Sequence, residues 1–172
     1  MTETREIFEP EHDSFRSTVR SFLDKEVTPH HAQWEADGMV DRSVWTRAGA
    51  VGLLCFDVDE QYGGAGVKDF RYNMVMAEEL TRAGATGPGF LVHTDIIVPY
   101  ISSLGTDEQK RRWLPGLVSG ELISAIAMTE PGAGSDLQGM RTTARRDDDS
   151  WILNGQKTFI SSGIMSDLVV VA

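Results

Sequence analysis

The chain has 172 residues, of which 41% are hydrophobic, including seven Phe, four Trp and three Tyr. This length suits one ordinary domain, or a small domain with part of another, and the composition excludes a disordered chain. Sixteen basic and 26 acidic residues give a net charge of −10. Because a surface this acidic repels nucleic-acid phosphates and anionic lipid, we expect neither as a partner.

The cysteine and histidine content indicates no metal site. The single cysteine, Cys55, cannot form an internal disulfide, and its apolar neighbours predict a buried packing residue. His30 and His31 are adjacent, so on a helix their side chains point about 100° apart and cannot share a ligand. We interpret them as surface residues near a helix end.

The N-terminus predicts no targeting segment. Residues 1–6 are polar and acidic, without the apolar centre of a secretory signal or the Arg-rich pattern of a transit peptide. No stretch approaches the ~18 apolar residues that span a bilayer. We therefore expect a cytoplasmic location and no membrane.

The first two-thirds of the chain predict helices. Apolar residues recur at helical spacing from Phe15 to Val27, and this helix either ends at Pro29 or continues past it with a kink. A second helix is predicted after Asp41 or Ser43, and a third from Phe70 to a stop at Gly84. The helix from Phe90 to Leu104 is apolar nearly all round, which predicts a central position in a bundle.

Two further signals complete the helical region. Thr106-Asp107-Glu108-Gln109 has the form of a capping box, which starts a helix that ends at Ser119-Gly120. Tyr62-Gly63-Gly64-Ala65-Gly66 lies between helices and predicts a loop.

After residue 120 the pattern changes to short apolar and alternating stretches. Asp147-Asp148-Asp149 predicts an acidic turn, and Asn154-Gly155 between two apolar runs is a strong hairpin signal because both residues tolerate positive φ. The predicted fold class is therefore α+β. An all-α bundle over residues 1–120 is followed by the opening strands of a β domain over residues 121–172.

The β-branched run from Asp167 to Ala172 ends without a turn. Such a strand is expected to leave an unpaired apolar edge, and a few strands without the rest of their sheet bury too little to be stable alone. We therefore expect the sequence to be a truncated piece of a longer protein.

The segment from Ala127 to Gly139 carries the clearest chemical signal. Gly132 and Gly134 lack side chains, so backbone amides there can approach a ligand closely, and Thr129 and Ser135 supply hydroxyls. These features suit a phosphate, a planar cofactor or a simple turn. No Gly-Lys-Ser/Thr follows, and the glycines open no helix in a strand–helix–strand unit, so neither a P-loop nor a dinucleotide fingerprint is present.

This segment resembles the signature of the acyl-CoA dehydrogenase family. Further resemblances follow in the same order along nearly the whole chain: Tyr62-Gly63-Gly64, Glu78-Glu79-Leu80, Leu104-Gly105-Thr106, Pro115 with Gly120, Leu153 to Lys157 and Phe159-Ile160-Ser161. Within the family, His30-His31-Ala32, Gly87 to Phe90 and Ile126 to Thr129 look most like the long-chain branch. The resemblance implies a helical N-terminal domain and an incomplete middle β domain here.

The resemblance also implies FAD as the cofactor and an acyl-CoA thioester as the substrate. It assigns flavin contacts to Ile126, Met128, Thr129, Gly134, Ser135, Phe159, Ile160 and Ser161. Ser135 would also contact the substrate. Read from the sequence pattern alone, Phe159 also suits an inward-facing strand position, and Ser161 also suits a hydroxyl that caps a strand end.

The implied reaction is α,β-desaturation, in which a glutamate removes the α-proton while hydride leaves the β-carbon for the flavin. In the family that glutamate lies beyond Ala172, so no catalytic residue is expected here. Glu130 and the Glu78-Glu79 pair are interpreted as structural or ion-paired. The resemblance implies an electron-transfer flavoprotein as acceptor and a homotetramer at full length. The alternatives are a non-catalytic remnant, a helical interaction domain, or a flavin oxidase of the same fold.

Overall fold

The computed structural model describes residues 7–172. Residues 1–6, on which the prediction of no targeting segment partly rests, lie outside the described residues. The chain divides into two compact units between Leu122 and Ile123. The first unit is helical and the second contains all the described strands, as the predicted α+β class requires.

The first helical segment continues past Pro29. It consists of α1 (Pro10–Phe22), a π-helical turn (Leu23–Val27) and α2 (Thr28–Asp37). Pro29 lies in the first turn of α2, where proline is tolerated because a backbone N–H there would have no partner within that helix. Of the two outcomes predicted at Pro29, the structure shows continuation, with the π-helical turn in the adjoining segment.

The remaining helices of the first unit are α3 (Ser43–Ala50), α4 (Arg71–Ala83), α5 (Val98–Leu104) and α6 (Asp107–Ser119). A π-helical turn over Val92–Ile97 precedes α5. Asp41 accepts a hydrogen bond from the Ser43 N–H. Gly84 ends α4 in the left-handed conformation, with a φ of 63°. The Thr106–Gln109 capping box is present with both of its hydrogen bonds. The predictions for these helix ends are confirmed.

The prediction of a central helix from Phe90 to Leu104 is correct for one face only. Phe90, Ile97 and Ile101 are buried, whereas Leu104 is 78% exposed and Tyr100 is also exposed. Apolar composition on all sides did not distinguish these two faces.

Close backbone approach joins α3 to α6. A Cβ at Gly120, whose φ is 76°, would lie 2.2 Å from the Trp45 carbonyl oxygen, and one at Gly49 would lie 2.3 Å from that of Ser119. Only glycine fits at these two contacts. The Trp45 ring then packs edge-on against Phe90, with 5.0 Å between centroids.

Cys55 is fully buried in this core, as predicted. Its backbone N–H donates to the Thr94 hydroxyl at 3.2 Å, and burial raises the pKa of its thiol. The thiolate form is therefore disfavoured, so Cys55 acts as a packing residue and not as a nucleophile.

A buried carboxylate, Glu79, joins α1 to α4. Its side chain is 3% exposed and accepts hydrogen bonds from Arg20 at 2.8 Å (two bonds), from Arg82 at 2.7 Å and from Arg16 at 3.3 Å. Hydrogen bonding to Arg20, followed by Arg82 and Arg16, lowers the pKa of Glu79 to about 2. The neighbouring Glu78 pairs with Arg16 at 2.7 Å. The ion-paired interpretation of these two glutamates is confirmed.

The second unit contains two pairs of strands. β1 (Ser124–Ala127) pairs in parallel with β4 (Leu168–Val171), and β2 (Thr143–Asp147) pairs antiparallel with β3 (Ser150–Asn154). Among the described strands, the terminal strand β4 pairs only with β1, so its other edge is unpaired, as expected.

The hairpin predicted at Asn154-Gly155 is wrong. The β2–β3 turn lies at Asp148-Asp149, within the predicted acidic turn, and Asp148 has a φ of 51°. Beyond β3 the chain passes against Thr142, where a Cβ at Gly155 would lie 2.2 Å from the Thr142 hydroxyl oxygen. Gly155 thus permits a close passage and makes no turn.

None of the helices over residues 7–172 combines the length and the apolar character needed to cross a membrane.

Replacing Glu79 by Gln is expected to destabilise the folded state by about 2 kcal/mol, because three arginines lose a shared buried carboxylate. Urea unfolding of the variant and its parent measures the difference. The matched control is Glu78→Gln, which removes a more exposed charge and is expected to cost about 0.5 kcal/mol. Equal losses in the two variants would contradict the role assigned to Glu79.

Candidate functional site

The candidate site lies in the second unit, where the chain leaves β1. Met128 and Thr129 follow the strand directly and are half-buried. Glu130 and Ala133 then exchange two backbone hydrogen bonds, of 2.9 and 3.1 Å, which close a tight turn. No atom lies within 4 Å of the position that a Cβ would take at Gly132 or Gly134. The described chain thus leaves the space beside both glycines open.

Glu130 ties this loop to the segment before β2. Its carboxylate accepts from the Arg141 N–H at 2.7 Å and from the Thr142 N–H at 2.8 Å. It also accepts from the Lys157 ammonium at 2.9 Å. Hydrogen bonding to Thr142, then to Lys157 and to the Arg141 N–H, lowers the pKa of Glu130 to about 2. A carboxylate held this way is a poor proton acceptor near neutral pH, which supports its structural interpretation.

Lys157 connects the loop to the chain beyond β3. Its ammonium donates to the Met128 carbonyl oxygen at 2.9 Å as well as to Glu130, and it lies 3.8 Å from the Met140 sulfur. The Lys157 side chain is 11% exposed and that of Glu130 is 8% exposed. This is a buried ion pair in which both partners are hydrogen-bonded, as burial of charge requires.

The structure brings the two stretches predicted to contact the cofactor together. The Thr158 N–H donates to the Thr129 carbonyl oxygen at 2.9 Å. The stretch that begins in β1 therefore lies directly beside residues 157–160, although 29 residues separate Thr129 from Thr158.

The individual predicted residues differ in exposure. Ile126 (in β1), Met128, Thr129 and Ile160 are half-buried; Gly134, Ser135, Phe159 and Ser161 are exposed. Phe159 is 90% exposed at a φ of 55°, a conformation that bulky residues rarely adopt. Strained backbone of this kind concentrates at functional sites.

Two alternative interpretations are wrong. Phe159 is not an inward-facing strand residue, because residues 155–160 form no strand and its ring is exposed. Ser161 does not cap a strand end, because it begins the turn over residues 161–165. The chain leaves the sheet at Asn154 to reach the β1 loop, so residues 158–160 cannot pair with β3.

Thr129 presents free hydrogen-bonding groups at this junction. Within residues 7–172, neither its backbone N–H nor its hydroxyl has a hydrogen-bond partner, while its carbonyl is bonded to Thr158. A half-buried donor without a partner beside an open glycine loop suits a bound polar ligand.

Sequence reasoning missed the role of Lys157. Its partners Met128 and Glu130 precede it by 29 and 27 residues, so no local spacing relates them. The one available signal was the Lys inside an otherwise uncharged stretch, Leu153 to Ser161.

One acidic group in the first unit has atoms close enough for a metal. Ligand atoms of Glu9, Glu11 and His12 lie within 4.8 Å of one another. However, one ring nitrogen of His12 accepts from the Glu9 N–H and the other contacts Asp69. His12 therefore caps α1, and both of its ring nitrogens are engaged within the protein.

Comparison with known proteins agrees with this geometry. The family model "Acyl-CoA dehydrogenase, N-terminal domain" matches residues 9–121, and "Acyl-CoA dehydrogenase, middle domain" matches residues 125–172. The chain is 52% identical to the mitochondrial long-chain specific acyl-CoA dehydrogenase of Mus musculus over 97% of its own length.

Solved structures show the same likeness. Acyl-CoA dehydrogenase from Geobacillus kaustophilus superposes with a TM-score of 0.93 at 53% identity, covering 98% of this chain and 44% of the other. Glutaryl-CoA dehydrogenase from Mycobacterium smegmatis, in complex with FADH2, superposes with a TM-score of 0.89 at 32% identity, again over 98% and 44% of the two chains.

The two family models match residues 9–121 and 125–172, so the chain belongs to the acyl-CoA dehydrogenase family. Among the curated relatives, its likeness to the long-chain branch is high, at 50–52% identity with three mammalian sequences. The chain spans 39% of the length of these relatives.

The contribution of Glu130 to stability should depend on acidic pH. Its pKa falls from 4.5 to about 2 on folding, so between these values the unfolded chain binds more protons and stability rises with pH. The contribution is complete above pH 4.5 and is lost as pH falls through about 2. Urea unfolding of the parent and Glu130→Gln should show a difference that is constant from pH 5 to 7 and shrinks below pH 4.5. A pH-independent difference would contradict this assignment.

Proposed function

We propose that this protein catalyses FAD-dependent α,β-dehydrogenation of fatty acyl-CoA thioesters. The observation that carries the proposal is the 52% identity with the mouse long-chain specific enzyme over 97% of the chain. The M. smegmatis relative in complex with FADH2 supports the choice of flavin. A fatty acyl-CoA is the proposed substrate because the mammalian relatives are named long-chain specific acyl-CoA dehydrogenases.

The described residues fit a flavin in two respects. Thr129 offers an unpartnered N–H and hydroxyl, and the space beside Gly132 and Gly134 is open. When bound, FAD supplies the acceptor for the hydride that leaves the substrate. The residues proposed to hold it are Ile126, Met128, Thr129, Gly134, Ser135, Phe159, Ile160 and Ser161, and Ser135 is also proposed to contact the substrate.

The proposed catalytic base is a glutamate outside these 172 residues. Glu130 and Glu79, the two buried glutamates described here, each have a pKa of about 2 and are engaged by cations. A general base is most effective when its pKa lies near the operating pH. Neither glutamate is therefore suited to remove the α-proton.

The remaining assignments also rest on the family. We propose that residues 1–120 form the N-terminal helical domain and residues 121–172 belong to the middle β domain. An electron-transfer flavoprotein is the proposed acceptor, and a homotetramer is the proposed assembly. The proposed location remains the cytoplasm, although the mammalian relatives are named as mitochondrial.

Replacing Thr129 by Ala in the FAD-loaded natural protein is expected to weaken FAD binding five- to tenfold, because about one hydrogen bond is lost. FAD titration followed by flavin fluorescence measures the change. The matched control is Thr143→Ala on the exposed strand β2, which should leave the affinity unchanged. Equal affinities for both variants would contradict the proposed contact. A parent protein that binds no FAD and turns over no acyl-CoA would contradict the proposed function itself.

The isolated 172-residue chain is expected to bind FAD weakly or not at all and to show no dehydrogenase activity. Trp151 and Leu153 of β3 are 67% and 56% exposed, so apolar side chains of the hairpin are left uncovered and the strand pairs are weakly supported. Gel filtration with FAD, and assay of acyl-CoA with an artificial electron acceptor, test this. Stoichiometric FAD in the protein peak, or turnover, would contradict it.

A further inference from the structure

The Lys157–Glu130 ion pair lies against the backbone proposed to contact the flavin. The ammonium is 2.9 Å from the Met128 carbonyl oxygen and 2.9 Å from the Glu130 carboxylate. Glu130 is held in turn by two backbone N–H groups of the segment before β2. A nearly buried pair with this many fixed partners cannot reorient without leaving a charge unpaired. The pair is therefore a rigid support.

The support acts on a single peptide group. The Met128 carbonyl and the Thr129 N–H belong to the same peptide unit, and an ammonium at the oxygen polarises that unit, which strengthens the N–H as a donor. The next carbonyl, that of Thr129, accepts from the Thr158 N–H at 2.9 Å. Both peptide groups that flank Thr129 are thus fixed by residues 157 and 158, while the Thr129 N–H remains without a partner in the described chain.

We propose that Lys157 and Glu130 are positioning residues of the flavin site that also set the electrostatic potential there, in opposite directions. This inference rests on the proposed function. The Lys157 charge favours the reduced flavin, which is anionic near neutral pH, and the Glu130 charge opposes it. Together they hold the Met128–Thr129 peptide in place with nearly balanced charge.

The test is the midpoint potential of FAD bound to the holoprotein, measured by spectroelectrochemical titration in the parent and five variants. Lys157→Met leaves the Glu130 charge uncompensated and should lower the potential. Glu130→Gln leaves the Lys157 charge uncompensated and should raise it. Each shift should correspond to about a tenfold change in the relative affinity for reduced and oxidised FAD, which is 29.6 mV for a two-electron couple.

Two controls separate charge from packing. Lys157→Arg keeps the charge. The relative affinity for reduced and oxidised FAD should therefore stay within about threefold of that of the parent. Arg146→Gln removes an exposed cation from β2 and should leave the potential unchanged, because solvent screens it. A shift for Arg146→Gln as large as that for Lys157→Met would overturn the local assignment.

The double variant Lys157→Met/Glu130→Gln keeps the proposal testable if either single variant fails to fold. Both substituted side chains are uncharged, so the midpoint potential of its FAD should return to that of the parent. Its Kd for FAD should rise at least fivefold, because the Met128 carbonyl is no longer held. Shifts of the same sign in the two single variants, or parental FAD affinity in the double variant, would overturn the inference. A parent protein without FAD overturns the proposed function and this inference with it.

Discussion

The organisation of the second unit depends on the carboxylate of Glu130. It receives hydrogen bonds from the segment before β2 and from Lys157, and its own backbone closes the turn after β1. A carboxylate has lone pairs enough to serve several donors at once, and burial makes each of those bonds necessary. Three stretches of chain that are far apart in sequence therefore meet at one side chain.

The first unit uses the same physical arrangement. Glu79 is buried between α1 and α4 and is surrounded by arginines from both helices. In each unit, hydrogen-bond donors and cations hold the pKa of the buried glutamate to about 2. These carboxylates are therefore committed to structure at neutral pH. A strongly shifted pKa marks a catalytic acid or base only when the shift brings it toward the working pH.

The candidate site combines a rigid side with an open side. The peptide groups around Thr129 are held by Lys157 and Thr158. In contrast, no atom of the described residues lies within 4 Å of the Cβ positions of Gly132 and Gly134. Preorganised donors reduce the entropy lost when a ligand binds, and the open loop leaves room for it. The ion pair and the two glycines thus contribute different properties to the candidate site, a fixed peptide group and an uncrowded loop.

Local chemistry was sufficient for much of the fold. The Thr106–Gln109 capping box and the stop at Gly84 were correctly predicted, because their hydrogen bonds form between residues no more than five positions apart. The change from helices to strands was likewise visible in the spacing of apolar residues. The family resemblance of Ala127 to Gly139 depended on residue order alone, which a sequence contains in full.

Tertiary contacts decided the rest. Asn154-Gly155 has the composition of a hairpin turn, yet the contacts of Lys157 and Thr158 with the β1 loop draw the chain away from β3. The helix from Phe90 to Leu104 has apolar residues on every side, and only packing determined that Leu104 would be exposed. The sequence by itself determined the helix start at Thr106, the helix end at Gly84, the two-part organisation and the family. Only the tertiary structure decided where the hairpin turns and which lysine supports Thr129, because those outcomes depend on partners 27 to 29 residues away.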